Sequence, residues 1–282
     1  MKKLVCAILL ASLFAGCASQ PATRPQAAAA AVATRHESPV PADAARLLPL
    51  QGALNARSFA GLQGTQGAIP ASSFVRTADL SRLTPADRDA LATAGVVLDL
   101  DLRTAEEESG SHDVLADDAR FKYVRISLIG SEKIDMSSMP DSLGEMYVKS
   151  LEDNQAQFRQ VFETIAAQKT GTVLFHCTAG KDRTGMVAAT LLSLAGVPKS
   201  DIVHNYAVSA HYLKPMMANP QMAEMVRNNP KIVALMGTPP EAIEAFLDAL
   251  DRQYGGADAY LKTIGLDEDD VQSLLARLGQ AG

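Results

Sequence analysis

The chain has 282 residues, 47% of them hydrophobic, with three cysteines and a formal net charge of −6. That is ample apolar matter for a core, and it fits one catalytic domain with a helical elaboration rather than a fibrous or disordered chain. The acidic balance and the lack of a basic tract exclude recruitment of nucleic acid by a long-range positive field, so any anionic substrate has to be held by local charge.

The N-terminus reads Met1-Lys2-Lys3, an apolar run from Leu4 to Ala15, then Gly16-Cys17. The run falls short of the roughly 18 to 20 residues of a spanning helix, so residues 1–16 read as a secretory signal. Phe14-Ala15-Gly16-Cys17 resembles a bacterial lipobox, which implies that Cys17 carries lipid and anchors an exported protein at an extracytoplasmic membrane face; a plainly cleaved signal is the alternative. Residues 17–48, rich in Ala, Pro, Gln and Thr, then form the lipid-anchored start and a disordered tether. The catalytic domain is expected over residues 49–282. Cys6 leaves with the signal, so Cys177 is the one thiol of the mature domain, without a disulfide partner and open to oxidation.

Along the domain, apolar runs alternate with helical patterns. Phe74 to Thr77 reads as a strand, with Arg57 and Arg76 as candidate ligand contacts. Thr84-Pro85-Ala86-Asp87 is a helix start, and Gly95 closes that helix. Val96 to Leu102 is a strand reaching a polar rim at Asp101 and Arg103, and Thr104-Ala105-Glu106-Glu107 is a second capping box. Phe121 to Leu128 and Gly171 to Phe175 are further strands. Between them lie a Met- and Ser-rich loop over 129–140 and one long helical pattern from Leu143 to Gln168. Helices follow over Met186–Leu194 and Ser200–Leu213, from Thr238-Pro239-Pro240-Glu241 onward, and over Asp267–Leu278. Methionines 216, 217, 222, 225 and 236 are adaptable core or an apolar lid. The pattern specifies an α/β fold: a central, mostly parallel sheet flanked by helices, with a helical lid or cap. Loops after residues 103, 128 and 177 then converge beyond the C-terminal strand ends.

The chemistry concentrates in Val173-Leu174-Phe175-His176-Cys177-Thr178-Ala179-Gly180-Lys181-Asp182-Arg183-Thr184-Gly185. A loop curling from a strand into a helix N-terminus points backbone N–H groups inward, and the helix dipole adds to their positive field. Thr178, Ala179, Gly180 and Lys181 would line such a phosphate cup, and Arg183 supplies a planar fork for two phosphate oxygens. The same field favours the thiolate of Cys177 as nucleophile, with His176 and the Thr184 hydroxyl in support. The other histidines, 36, 112, 204 and 211, lack metal-ligand spacing, so neither metal nor cofactor is called for.

His-Cys-Thr-Ala-Gly-Lys-Asp-Arg-Thr-Gly resembles the signature loop of the protein tyrosine phosphatase superfamily. Its Ala-Gly-Lys-Asp interior resembles the bacterial branch of secreted enzymes with broader, partly lipid-directed specificity. The resemblance implies the cysteine-based phosphatase fold and metal-free hydrolysis of phosphotyrosine, with phosphoserine and phosphothreonine as further substrates, through a cysteinyl-phosphate intermediate. The general acid stays open: Asp182 ranks first, Asp101 second, and Asp135, Asp141 or Asp153 of the upstream segment third. Arg103 and Arg76 are expected around the pocket. Lys181 raises phosphoinositide or inositol phosphate as an alternative substrate. A phosphate-binding pseudoenzyme and a sulfur- or arsenate-handling enzyme are readings of other classes.

Overall fold

Strand β7, Thr172–His176, is buried at every position and lies at the centre of the sheet. Its run of Thr172-Val173-Leu174-Phe175 suits a strand covered on both faces, where no side can present a charge to solvent. In the computed structural model, which describes residues 46–129, 140, 142–220, 224 and 235–280, β4 (Phe74–Thr77) and β5 (Val96–Asp101) flank β7 in parallel. Strand β6, Lys122–Arg125, extends the β5 side in parallel, and β1, Arg57–Ser58, closes the other edge antiparallel to β4. A separate hairpin joins β2, Gln63–Gly64, to β3, Gly67–Ala68. The order is therefore β1-β4-β7-β5-β6. Thr77 and Asp101 both pair with His176, so three strands end level, at one rim.

Alternation along the strands divides the core. Phe74, Leu98, Leu100, Val173 and Phe175 point into the larger apolar layer, where Phe59, Phe74 and Phe175 meet with ring centroids 5.6 to 6.1 Å apart. Val75 and Leu174 point into a smaller layer with Leu80, Leu91 and Leu115, and an irregularity between Val96 and Leu98 turns Val96 to the same side. The smaller layer is covered by α1, Pro85–Thr93, whose start is a full capping box: Asp87 N to Thr84 Oγ1 at 3.2 Å and Thr84 N to Asp87 Oδ2 at 2.9 Å. Helix α2, Ala105–Gly110, opens on the same device at Thr104 and Glu107.

The larger layer is covered by α3 (Leu143–Asp153), α4 (Gln155–Ala167), α5 (Arg183–Leu194) and α6 (Lys199–Ala207). Short helices α7, Ser209–Tyr212, and α8, Lys214–Met217, follow. The C-terminal part adds α9 (Pro240–Ala249, continued by a π turn to Tyr254), α10 (Ala257–Thr263) and α11 (Glu268–Arg277). The single helix expected from Leu143 to Gln168 is two, broken at Asn154. The break has a packing reason: α3 lies against α9 whereas α4 lies against α11, and one straight rod cannot serve both. Helix α10 and the β2–β3 hairpin carry too weak a pattern to have been expected.

The α/β class and the mostly parallel, helix-flanked sheet are as the sequence reading expects. Of the expected cap, α8 walls the site, while Met222 and Met225 lie outside the described residues. So do the signal, Cys17 and the tether to residue 45. Residues 46–48, assigned to that tether, are docked: Leu47 bridges to Arg57, and Leu48 N donates to Ala56 O at 2.9 Å.

Candidate active site

Strand β7 delivers Cys177 one residue past His176, and α5 opens at Arg183, so residues 178–182 make the whole connection. The loop is gripped from behind by its carbonyls. Asn55 Nδ2 donates to Ala179 O at 3.1 Å and to Gly180 O at 3.0 Å, Arg76 Nη2 donates to Gly180 O at 2.9 Å, and Asp79 N donates to Thr178 O at 3.1 Å. Among the described residues the amides of 178–182 donate to no backbone carbonyl. Carbonyls out and amides in is the arrangement of an anion cup at a helix N-terminus. Gly180 makes the turn possible: its φ is +64°, and a Cβ there would fall 2.2 Å from Thr77 O. Asn55 itself has φ +62°, a conformation that Asn tolerates and that aims its amide under the loop.

Cys177 sits at the floor, 1% exposed. Arg183 is held by a residue the sequence reading took only for a helix cap. Its Nη1 donates to Glu107 Oε2 at 2.6 Å and its Nη2 to Glu107 Oε1 at 2.7 Å, a bidentate pair. Thr178 Oγ1 donates to Glu107 Oε1 at 2.6 Å, tying the loop to the same carboxylate. Burial alone would raise the pKa of Glu107; the bond and charge of Arg183, with Thr178, outweigh it and hold the carboxyl at about 2. The pair takes two of the five guanidinium N–H groups, while Nη1 also reaches Leu102 O at 3.3 Å and Nη2 reaches Thr178 Oγ1 at 3.4 Å, so a phosphate has to take over these longer bonds. Beside it opens a cavity of about 270 Å³, bordered by Thr178, Glu107, Arg103, Asp79, Ser111 and Met216.

Behind the loop lies a buried ionic cluster. Arg103 Nε bonds Asp101 Oδ1 at 2.9 Å, and Arg103 Nη2 bonds Asp101 Oδ2 at 2.8 Å. Tyr123 OH donates to the same carboxylate at 2.9 Å. Burial favours the neutral acid at Asp101, but His176 and Arg103 overcome it and hold the carboxyl at about 2. A group kept ionised in the interior positions its neighbours; it has no proton to give at neutral pH. Arg103 also reaches Asp79 and Ser111 O at the cavity wall, the latter at 2.7 Å. His176, wholly buried, lies 2.9 Å from Asp113 Oδ2. Burial would lower its pKa, yet the carboxylates of Asp101, Asp99 and Asp113 raise it to about 10. Arg76 is also buried, its pKa lowered by burial to about 10, and it bonds Asn205 Oδ1 at 2.6 Å besides the loop. Arg57, likewise buried, holds Asn55 O at 2.8 Å and Ser209 Oγ at 3.0 Å, so both arginines brace the loop from below.

Asp182 is a quarter exposed, with Oδ1 accepting from Tyr147 OH at 2.5 Å and from Lys181 Nζ at 2.7 Å. Tyr147 OH lies 2.9 Å from Tyr206 OH, and burial followed by the Asp182 charge raises the Tyr147 pKa well above the usual phenol range. Lys181 is 2% exposed, and its second bond, 2.8 Å, goes to Leu235 O. Thr184 is buried, and its hydroxyl has no hydrogen-bond partner among the described residues. Of the upstream candidates, Asp153 pairs with Lys149 at 2.6 Å on the exposed side of α3, while Asp135 and Asp141 lie outside the described residues.

The strand–loop–helix cup with a thiol floor and a clamped arginine defines a cysteine-based phosphatase site. Residues 48–280 match the model of the tyrosine phosphatase family, and the chain belongs to that family. It is 52% identical to a tyrosine-protein phosphatase of Nostoc commune over 97% of this chain and 96% of that protein. It is 25% identical to the triple specificity protein phosphatase PtpB of Mycobacterium tuberculosis over 80% of this chain and 96% of that protein. A crystal structure of TpbA from P. aeruginosa aligns with 63% of this chain and 97% of its own, at 15% identity and a TM-score of 0.28.

Proposed function

We propose that the protein hydrolyses phosphotyrosine monoesters, with Cys177 attacking phosphorus in line and the loop amides and Arg183 stabilising the equatorial oxygens. The C–O bond of the ester stays intact: the P–O bond to the leaving group breaks as the S–P bond forms, and water then hydrolyses the cysteinyl phosphate. The observation that carries the reading is the cup itself, Cys177 and Arg183 at either end of a loop whose carbonyls are bound outward. Asp182, at the cup rim with Tyr147 and Lys181, is the proton donor we propose for the leaving oxygen. Its partial exposure suits a group that exchanges protons with solvent between turnovers.

Phosphotyrosine is favoured over phosphoinositides because Lys181, the cation that raised the lipid alternative, is committed to Asp182 and Leu235 O. A panel of phosphotyrosine peptides, phosphoserine peptides and phosphoinositides, run on wild type and Cys177→Ser, tests the reading. Turnover of the tyrosine peptides by wild type alone supports it; turnover persisting in the serine variant rules out the thiol mechanism, and a preference for phosphoinositides overturns the substrate. Export with lipid on Cys17 is a further part of the proposal, supported by the sequence pattern of residues 1–17. Radiolabelled palmitate should enter the wild-type chain and not Cys17→Ser.

A further inference from the structure

The cluster behind the loop contains polar atoms that its own hydrogen bonds leave unmet. Asp99 on β5, Asp113 after α2 and His176 at the end of β7 are each 0% exposed. Both carboxylate oxygens of Asp99, Oδ2 of Asp113 and Nε2 of His176 have no well-aligned hydrogen-bond partner among the described residues. All are in one place: His176 Nε2 is 2.9 Å from Asp113 Oδ2 and 3.5 Å from Asp99 Oδ1, and one donor atom from each residue lies within 4.8 Å of the others. Asp99, with no hydrogen bond to either oxygen among the described residues, and Asp113, whose Oδ2 faces His176 Nε2 and lies 3.7 Å from Arg103 Nη2, are costly to bury beside each other.

We infer that Asp99, Asp113 and His176 form a buried site for a divalent transition-metal ion, zinc first among them, that fastens β5, β7 and the segment after α2 together beneath Cys177. The donor set, one imidazole nitrogen and two carboxylate oxygens, is one that zinc accepts. Ligand atoms about 2.0 to 2.1 Å from a tetrahedral ion stand roughly 3.3 Å apart, between the 2.9 and 3.5 Å that separate His176 Nε2 from the two carboxylates. The surroundings hold Asp113 and His176 in place as metal sites require. Asp113 Oδ1 accepts from Leu115 N at 2.9 Å, leaving Oδ2 to turn inward, and His176 Nδ1 faces Cys177 O at 3.4 Å, leaving Nε2 for the ion. Asp101 stands just outside, its Oδ1 3.7 Å from Nε2 and already accepting from Arg103. The ion is structural and takes no part in phosphoryl transfer, so the inference stands apart from the substrate assignment.

The full chain, unfolded in chelator and refolded with zinc or with chelator alone, provides the test. We expect about one zinc per chain in wild type and in Cys177→Ser, less than about 0.1 in Asp99→Asn, and a higher melting temperature for the zinc-refolded wild type. X-ray absorption at the zinc edge should show nitrogen and oxygen neighbours only. A sulfur shell near 2.3 Å, or loss of the metal in Cys177→Ser, would place the ion on the catalytic thiol and overturn the inference. So would a correctly refolded wild type without stoichiometric zinc. If Asp99→Asn fails to fold, the absorption spectrum of wild type and the metal content of Cys177→Ser still decide.

Discussion

Glu107 ties three residues by one carboxylate: it caps α2 through Thr104 N at 3.0 Å, fixes Arg183 by two bonds and receives the Thr178 hydroxyl. Glu107→Gln keeps the shape and loses the charge, so Arg183 should sample wrong orientations and kcat/KM for an aryl phosphate should fall roughly 10- to 100-fold. Linkage gives a second readout. Because the folded pKa of about 2 lies below the ordinary 4.5, the charge contributes stability that is full above pH 4.5 and lost as pH falls toward 2, about 3 kcal/mol in all. Denaturant titrations at pH 7, 5 and 3 should therefore show wild type losing more stability on acidification than Glu107→Gln; parallel losses would refute the role. At Asp182 the prediction turns on the leaving group. Asp182→Asn should slow a phosphotyrosine peptide by about 10²- to 10⁴-fold and an activated nitrophenyl ester far less, since only the poorer leaving group needs a proton. Equal slowing would assign Asp182 to structure. Cys177, Arg183 and the loop between them were legible because their chemistry is written contiguously. Glu107 was not, because a capping acid has the same sequence signature whether or not an arginine 76 residues on comes to meet it.

Elements reach the site through their ends. Sheet strands were legible where they are central: Val173 to Phe175 reads as a buried strand because it leads into the Cys177 loop, and Phe74 to Thr77 and Val96 to Asp101 are legible as its neighbours. Helix starts were legible where a capping box wrote them, at Thr84 and Thr104. What pattern could not carry was partner choice, as at Asn154, where apolar spacing runs on while α3 and α4 turn to different neighbours. Arg57 and Arg76 were legible as residues near the pocket, but not as braces bonded to Asn55 and to the loop carbonyls over 100 positions on. The start of α1 is the element with the clearest energetic prediction. Asp87 accepts from Thr84 N at 2.9 Å, Gln51 N at 2.6 Å and Gly52 N at 2.9 Å, joining the helix to the chain entering β1. Asp87→Ala leaves these donors unmet and should cost about 2 to 3 kcal/mol, lowering Tm by about 4 to 12 °C. Asp87→Asn, which keeps an acceptor, should recover part of it.

At the scale of the molecule, the C-terminal helix closes the fold against its beginning. Leu274 and Leu278 are 0% exposed within the larger core, and Ser73 Oγ donates to Arg277 O at 2.6 Å. Gln280 completes the clasp on the β2–β3 hairpin: its Oε1 accepts from Gln66 N at 2.5 Å and its Nε2 donates to Gly67 O at 3.1 Å. The active-site cup lies at the other end of β4 and β7, since Ser73 immediately precedes β4 whereas Thr77 touches Gly180. Stability and catalysis should therefore separate. Leu274→Ala removes buried side-chain volume from α11 and should cost about 2 to 5 kcal/mol, lowering Tm by about 4 to 20 °C. The folded fraction at 25 °C should retain wild-type kcat and KM, because the long-range hydrogen bonds that α11 makes to the rest of the described chain go to Ser73, Lys169, Gly171 and Gln168, at the far end of the sheet from the loop. Thermal melts paired with kinetics on the same samples check this. A fall in kcat without a fall in Tm would mean that the far end of the sheet is coupled to the cup, contrary to their placement at opposite ends of β4 and β7.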